Sequence, residues 1–172
     1  IEIAILKSLA ESTDEIAAIR AVPLQMRRFY VQAYQSYIFN KTLSMAFEYG
    51  EDLFSPQEND VCYNMNNKLG KFQNEPGQKL TVPLVGHSYF TKTRFDYYIK
   101  KILEPEEVLL PEFLTKDFQE VSIEGGFRNA SIKCDDFHTS DNTVEFQLSR
   151  GSYATIVLRE ILKPDEPLSC GF

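Results

Sequence analysis

The sequence predicts an α+β fold, in which a mainly helical α/β domain is followed by antiparallel strands and a final helix. Apolar residues recur at helical spacing over most of residues 1–47 and again over residues 93–103. Further along, two strand-like stretches flank a Ser/Thr/Asp/Asn-rich segment at residues 135–142, which is typical of a hairpin. The alternating stretch Val144–Leu148 then runs through a Gly-Ser pair into a last helical pattern.

The composition is that of a globular protein. The 172 residues are enough for one domain or for parts of two, and 43% of them are hydrophobic. The longest apolar runs are too short to span a membrane and no secretory signal is present, so we expect no membrane partner. Ile1 already lies within a helical pattern, and we therefore expect the chain to be cut from a longer protein.

Cysteine and histidine usage argues against a metal site. The cysteines, at positions 62, 134 and 170, are odd in number and never form a CxxC pair, which favours a reducing compartment over a disulfide framework. His87 and His138 have no partners at ligand spacing, and we interpret both as surface or capping residues. The sequence also lacks a P-loop, a Gly-x-Gly-x-x-Gly turn, a Gly-x-Ser-x-Gly elbow and a calcium-loop pattern.

The net charge of −7 is unfavourable for a nucleic-acid partner, because phosphate contacts supply most of the affinity for nucleic acids. The distribution of charge matters more than its sum. Acidic residues concentrate at positions 48–60 and 104–124. Basic residues lie elsewhere, at Arg27, Arg28, Lys41, Lys92, Arg94, Lys100 and Lys101. A negative net charge is therefore compatible with one positively charged face that binds nucleic acid.

Three helices are predicted at the start of the chain. The first covers residues 1–10, and the capping box Ser12-Thr13-Asp14-Glu15 opens a second that ends at Arg20. Pro23 then serves as the first-turn proline of a long helix that ends at about Phe47. Its predicted apolar stripe is Phe29, Ala33, Tyr37 and Ile38, joined by Tyr30 and Tyr34, and its more polar side is Arg28, Gln32, Gln35 and Asn40. The aromatic residues are interpreted as core packing or as base-stacking groups, and the polar side as a nucleic-acid contact or a solvated face.

The middle of the chain alternates loops with short elements. We predict a loop at 49–59, a second loop or a hairpin connection at 66–78, and strands at 60–65 and 79–85. A helix at 93–103, a short helical segment at 106–114 and strand material at 119–124 follow. Gly125-Gly126 is interpreted as a flexible pair. Strands at 128–134 and 143–148 are expected to pair across the turn at 135–142, which puts a domain boundary near Glu124.

The stretch after Leu148 has a second interpretation besides a simple strand–helix corner. Gly151 and Ser152 precede the helical pattern, which Pro164 ends. A strand that enters a helix through such a turn leaves free N–H groups at the helix start, and these groups can hold an anion such as a phosphate. The alternative is that Ser152 merely caps the helix.

Three blocks of the sequence resemble the TruD family of tRNA pseudouridine synthases. The segment Gly-Ser-Tyr-Ala-Thr-x-x-Leu-Arg-Glu, residues 151–160, looks like the family's C-terminal signature when it follows Phe-x-Leu, as here. The helix at residues 28–44 is similar to the family's Ala-x-Gln-Ser-x-x-x-Asn helix, and Val82–Gly86 resembles its Leu-Pro-Gly segment. The three blocks stand in family order over most of the chain.

The resemblance implies a fragment of a larger enzyme that needs no cofactor. Residues 1–123 would be the family's insertion domain, and residues 124–172 the C-terminal part of the catalytic domain. The family isomerises a uridine in tRNA through an aspartate that attacks the flipped-out nucleotide. That aspartate lies in a Gly-x-Lys-Asp stretch, which this sequence does not contain, so we expect it upstream. Lys116-Asp117 repeats only part of the pattern, and the family's arginine pair is reduced to Arg128-Asn129.

The resemblance also implies where RNA would bind. The residues expected to contact RNA or line the active site are Gly151, Ser152, Tyr153, Thr155, Arg159, Arg28, Gln35, Ser36 and Asn40. The expected partners are tRNA and the missing N-terminal part of the catalytic domain, with no DNA, and the expected location is the cytoplasm. The alternative is a catalytically silent module that binds RNA or protein.

Overall fold

Helices form the first part of the chain in the computed structural model, which describes residues 1–89 and 92–171. They are α1 (Glu2–Ser12), α2 (Glu15–Arg20) and α3 (Leu24–Glu48). Asp14, rather than Ser12, caps α2, because its carboxylate accepts hydrogen bonds from the backbone nitrogens of Ile16 and Ala17. The Ser12 hydroxyl instead donates to the Ser8 carbonyl within α1. The predicted capping box is therefore wrong in its capping residue.

A four-stranded antiparallel sheet follows, with the strand order β2-β1-β3-β4. Its strands are β1 (Val61–Tyr63), β2 (Leu69–Lys71), β3 (Lys79–Leu84) and β4 (Gly126–Asn129). The strand β2 lies inside a predicted loop. The strand β4 pairs with β3, with Val82 opposite Arg128. The predicted pairing of residues 128–134 with 143–148 is therefore wrong except at Cys134, which lies opposite Leu148.

The helix α4 (Asp96–Leu103) and short 3-10 segments complete this part of the chain. The segments cover Glu104–Glu106, Leu110–Phe113 and Gln119–Val121. The last of them replaces the strand predicted at residues 119–124. The α+β class predicted from the sequence is confirmed.

The core lies where α3 packs against β3 and α4. Phe39 and Ala46 of α3 contact Leu80 and Val82 of β3 and the buried Phe95. A second cluster joins Ile38 to the apolar face of α4 and to Phe113. The buried Gln35 of α3 donates its side-chain Nε2 to the Val85 carbonyl at 2.6 Å. The helix is thus fixed to the end of β3 by one directional bond among apolar contacts.

Arg94 holds the loop at residues 51–60 against the start of α4. Its Nε donates to Asp60 Oδ1 at 3.1 Å, its Nη2 donates to the Asp52 carbonyl at 2.8 Å, and its Nη1 pairs with Glu51. Asp60 is buried, and its other carboxylate oxygen accepts from the Gln57 backbone nitrogen. The guanidinium group therefore satisfies a carboxylate that has little access to water.

Gly125 is a packed position rather than a flexible one. It has φ +96°, and a Cβ atom on it would lie 2.9 Å from the Leu84 carbonyl oxygen. The backbone just before Gly125 is also hydrogen bonded, because His87 N donates to the Ile123 carbonyl and Ser88 N to the Glu124 carbonyl, both at 3.0 Å. The chain therefore enters β4 without a linker.

The chain divides into two compact units, Ile1–Ala130 and Ser131–Phe172. The second contains the hairpin of β5 (Cys134–Ser140) and β6 (Thr143–Leu148), followed by α5 (Ala154–Leu162). The two strands meet at Asp141-Asn142, so the turn predicted at 135–142 is wrong; most of that polar segment is an exposed strand. Phe137 and Phe146 stack across the hairpin at 6.4 Å between ring centroids.

Within the described residues, none of the helices has the length and apolar character needed to cross a membrane.

Candidate nucleic-acid interface

Arginine side chains near the start of α3 bind the segment at residues 117–120. Arg28 Nε donates to the Glu120 carbonyl at 2.9 Å, and Arg27 pairs with the Glu120 carboxylate. Arg20 Nη2 donates to the Asp117 carbonyl at 3.1 Å. The guanidinium groups of Arg20 and Arg27 also lie 5.7 and 5.8 Å from the Phe118 ring centroid. Arg28 is exposed, and only its Nε is hydrogen bonded among the described residues.

The structure separates the other predicted site residues of α3. Asn40 is exposed and Ser36 is half-buried. Gln35 is buried with its amide bonded to Val85, which places it in the core rather than on the predicted polar side. The helix therefore offers Arg28, Ser36 and Asn40 to a partner, but not Gln35.

The predicted apolar stripe of α3 is confirmed at Ile38 but wrong at several of its aromatic residues, which face outward. Phe29, Tyr30 and Tyr37 are exposed, whereas the buried side includes Ile38, Phe39, Thr42 and Ala46. The sequence pattern failed because two of the buried positions are polar, at Gln35 and Thr42, and aromatic residues occur on both sides of the helix.

Two lysines lie against exposed tyrosine rings, a feature that the sequence analysis missed. Lys41 Nζ lies 5.2 Å from the Tyr37 ring centroid and donates to its hydroxyl at 2.9 Å. Lys101 Nζ lies 4.7 Å from the Tyr97 centroid and 5.4 Å from the Tyr49 centroid. Lys101 and Tyr49 are far apart in sequence, so no local pattern could have joined them.

The turn before α5 has the left-handed backbone that glycine allows. Gly151 has φ +89°, and nothing lies within 4 Å of the position that a Cβ atom would take. Ser152 N donates to the Ser149 carbonyl at 3.1 Å, and the hydroxyls of the two serines lie 3.1 Å apart. The helix begins two residues later, with Tyr153 at the cap position and no side-chain cap. Ser152 therefore does not cap α5, and that alternative is wrong.

The remaining predicted residues follow on α5. Tyr153 and Thr155 are exposed. Arg159 lies in the last turn, where its Nη2 is 3.7 Å from Glu160 Oε1, and Lys163 ends the helix in the left-handed conformation. A contact of this length between partly exposed groups contributes little stability, which leaves the Arg159 guanidinium open to another anion.

Comparison with known proteins assigns the chain to a protein family. Residues 1–161 match the family model of tRNA pseudouridine synthase D (TruD), and the chain belongs to this family. The resemblance seen in the sequence is confirmed.

Individual relatives carry the same name. A tRNA pseudouridine synthase D of Pyrobaculum islandicum is 34% identical over 175 residues, covering 99% of this chain and 42% of the relative. That of Methanopyrus kandleri is 35% identical, covering 87% of this chain and 36% of the relative. A crystal structure under this name from Methanosarcina mazei is 27% identical, with a TM-score of 0.75 over 96% of this chain and 44% of that one. The chain thus spans less than half the length of these relatives.

Proposed function

We propose that the chain is part of a tRNA pseudouridine synthase that isomerises a specific uridine in tRNA to pseudouridine in the cytoplasm, without a cofactor. The observation that carries this proposal is the family match over residues 1–161. The similarity to the Methanosarcina mazei structure, with a TM-score of 0.75, supports it independently of sequence motifs.

In this proposal the chain supplies parts of two domains. Residues 1–123 belong to the insertion domain, and residues 124–172 to the C-terminal part of the catalytic domain. The compact units divide after Ala130 rather than near Glu124, and β4, which pairs with β3, lies in the first unit. The catalytic aspartate comes from residues outside this chain, which covers 42% of the length of its relative.

The chain's own contribution is RNA binding and support of the active site. On α3 the contacts are Arg28, Ser36 and Asn40, all of which are at least partly accessible; Gln35 is left out because its amide is used in the core. Around α5 the contacts are Gly151, Ser152, Tyr153, Thr155 and Arg159. Flipping a base out of its stack costs a few kcal/mol, and contacts of this kind to the phosphates and sugars offset it.

The two arginines suit phosphate because a guanidinium group can donate two parallel hydrogen bonds to it. Arg28 uses one nitrogen on the Glu120 carbonyl and Arg159 has only its long contact with Glu160. Both therefore retain donors for an RNA backbone. Gly151 lets the chain turn at φ +89° without a side chain in the way of a ligand.

The experiment uses the complete gene product and a tRNA transcript whose uridines carry tritium at C5. Isomerisation moves the glycosidic bond to C5 and releases that hydrogen to water. We expect release from the complete protein and none from the 172-residue chain alone. A complete protein that folds and binds tRNA but releases no tritium would establish the alternative, a catalytically silent RNA-binding module.

A further inference from the structure

We propose that Tyr49, Tyr97 and Lys101 form an additional RNA-binding site, in which the two rings stack unpaired bases and the lysine holds a phosphate next to them. None of the three belongs to the motifs that define the family resemblance. The inference rests on the proposed function in that the RNA would be the tRNA substrate.

Both rings are available to a ligand. Tyr49 is 61% exposed and Tyr97 is 54% exposed, whereas the neighbouring Tyr98 is 5% exposed. Large aromatic side chains with this much accessible surface are the groups on which proteins stack unpaired bases, and such stacking tolerates any base sequence. The two tyrosines come from different elements, the end of α3 and the first turns of α4.

The buried Tyr98 fixes the position of both exposed rings. It meets Tyr49 edge-on at 5.8 Å between centroids and Tyr97 at 5.4 Å. Its own hydroxyl donates to Glu51 Oε1 at 3.0 Å, which anchors it in turn. Since the rings are held before a base arrives, binding loses less side-chain entropy than it would with mobile rings.

Lys101 supplies the positive charge between the rings. Its ammonium lies over both, at 4.7 and 5.4 Å, and donates to the Tyr49 hydroxyl at 3.4 Å. Hydrogen bonding to Tyr97 and Tyr49 raises the pKa of Lys101 above its usual value, which favours its positively charged form.

Glu51, which binds the Tyr98 hydroxyl behind the two rings, does not oppose RNA strongly, because both of its carboxylate oxygens are already paired. Its Oε1 accepts a hydrogen bond from the Tyr98 hydroxyl, and its Oε2 accepts one from Arg94 Nη1. Stacking rings with a lysine and an internally paired carboxylate favour a single-stranded nucleic acid over an acidic protein segment, which would use the lysine but not the flat ring faces.

The experiment titrates the 172-residue chain with a labelled single-stranded RNA dodecamer and with a tRNA transcript, each at several salt concentrations. We expect the double substitution Tyr49→Ala/Tyr97→Ala to weaken binding about tenfold or more, with little change in salt dependence. We expect Lys101→Ala to reduce the slope of log K against log salt by about 0.7 for the single strand. Tyr97→Phe should keep the affinity and Lys101→Arg should keep the slope.

Matched controls lie elsewhere on the chain. Phe54→Ala removes an exposed ring, 74% accessible, that has no cation over it among the described contacts, and Lys7→Ala removes an exposed lysine of α1. Both should stay within about twofold of the parent. If the double variant Tyr49→Ala/Tyr97→Ala is unstable, the salt dependence of RNA binding by Lys101→Ala tests the proposal by itself.

Each remaining outcome overturns the inference. Binding by the parent chain that the site substitutions change no more than the controls rules out this site and leaves the proposed function in place. A parent chain that binds neither RNA at the lowest salt concentration also rules it out. In either case, tritium release by the complete protein tests the proposed function separately.

Discussion

Gly86 and Gly125 lie backbone to backbone at the point where the chain leaves β3 and enters β4. A Cβ atom on Gly125 would be 3.1 Å from the Gly86 nitrogen and 3.2 Å from its Cα, and one on Gly86 would be 2.6 Å from the Glu124 carbonyl oxygen. Neither position has room for a side chain, because the atoms in the way belong to the backbone and cannot rotate aside.

We therefore expect Gly86→Ala to destabilise the protein by about 1–3 kcal/mol, the usual cost of overpacking a close contact. Urea unfolding followed by circular dichroism measures it. Gly70→Ala is the control, because nothing lies within 4 Å of the Cβ position there. Equal stability of the two variants would contradict this account of the Gly86–Gly125 contact.

Replacing Arg94 should also lower the free energy of unfolding, but through an unpaired buried charge rather than through a steric clash. Arg94→Met leaves the Asp60 carboxylate, 3% exposed, without its partner, and removing one member of a buried pair typically costs about 3–5 kcal/mol. The same measurement on Arg150→Met, at an exposed arginine, should show almost no change. Adding Asp60→Leu to Arg94→Met should recover part of the loss, since the orphaned charge is then gone; no recovery would mean that packing, not charge, dominates.

The burial of Cys62 should affect both the pH dependence of stability and the reaction of this thiol with alkylating reagents. Burial raises the pKa of the Cys62 thiol from 9.0 to about 11. The unfolded chain therefore releases this proton at lower pH than the folded one, and stability falls as pH rises from about 9 to about 11. Cys62→Ala should flatten that part of the stability profile.

Labelling with iodoacetamide at pH 8 tests the same property directly. The exposed Cys170 should react and the buried Cys62 should not until the protein is unfolded. Rapid alkylation of Cys62 in the folded chain would contradict its burial.

Hydrogen exchange should separate the hairpin from the long helix. No residue of β5 or β6 is buried, whereas α3 has five buried residues. A lone two-stranded hairpin is marginal in water, so we expect its amides to exchange much faster than those of α3 in the chain alone. Protection of the hairpin equal to that of α3, in a demonstrated monomer, would show that the second unit is stable by itself.

Arg159→Lys tests the proposed site on α5. In the complete protein we expect turnover to fall tenfold or more with an unchanged melting temperature, because lysine cannot donate two parallel hydrogen bonds to phosphate. Arg150→Lys serves as the matched control. A variant that is less stable but turns over normally per folded molecule would assign Arg159 to the scaffold.

The elements that the sequence predicted well are those with a strong and uninterrupted pattern. The α3 helix and the strand β3 lie within one or two residues of their predicted bounds, because proline and glycine mark their ends. The strand β2 was missed since its three residues are exposed and carry no alternation to read. The polar strand β5 was mistaken for a turn for the same reason.

The candidate site was harder to predict than the fold. The motif residues around Gly151 could be chosen by resemblance, but Ser152 was expected to cap a helix that in fact begins at Ala154. Gln35 was placed on the wrong side because its burial depends on a carbonyl 50 residues away, at Val85. The approach of Lys101 to Tyr49 depends likewise on how α4 packs against α3, which no local pattern contains.

The Gln35–Val85 bond also decides where along its length α3 rests. The apolar contacts between α3 and β3 would tolerate a slide, since one aliphatic or aromatic group can replace another. If α3 slid by one helical turn, about 5.4 Å, the Gln35 amide would be buried without a hydrogen-bond partner, at a cost of about 1–3 kcal/mol. One polar side chain thus selects a single register for a helix of 25 residues. As a result, every exposed group on that helix, from Arg28 to Lys41, has a fixed position along the helix axis relative to β3.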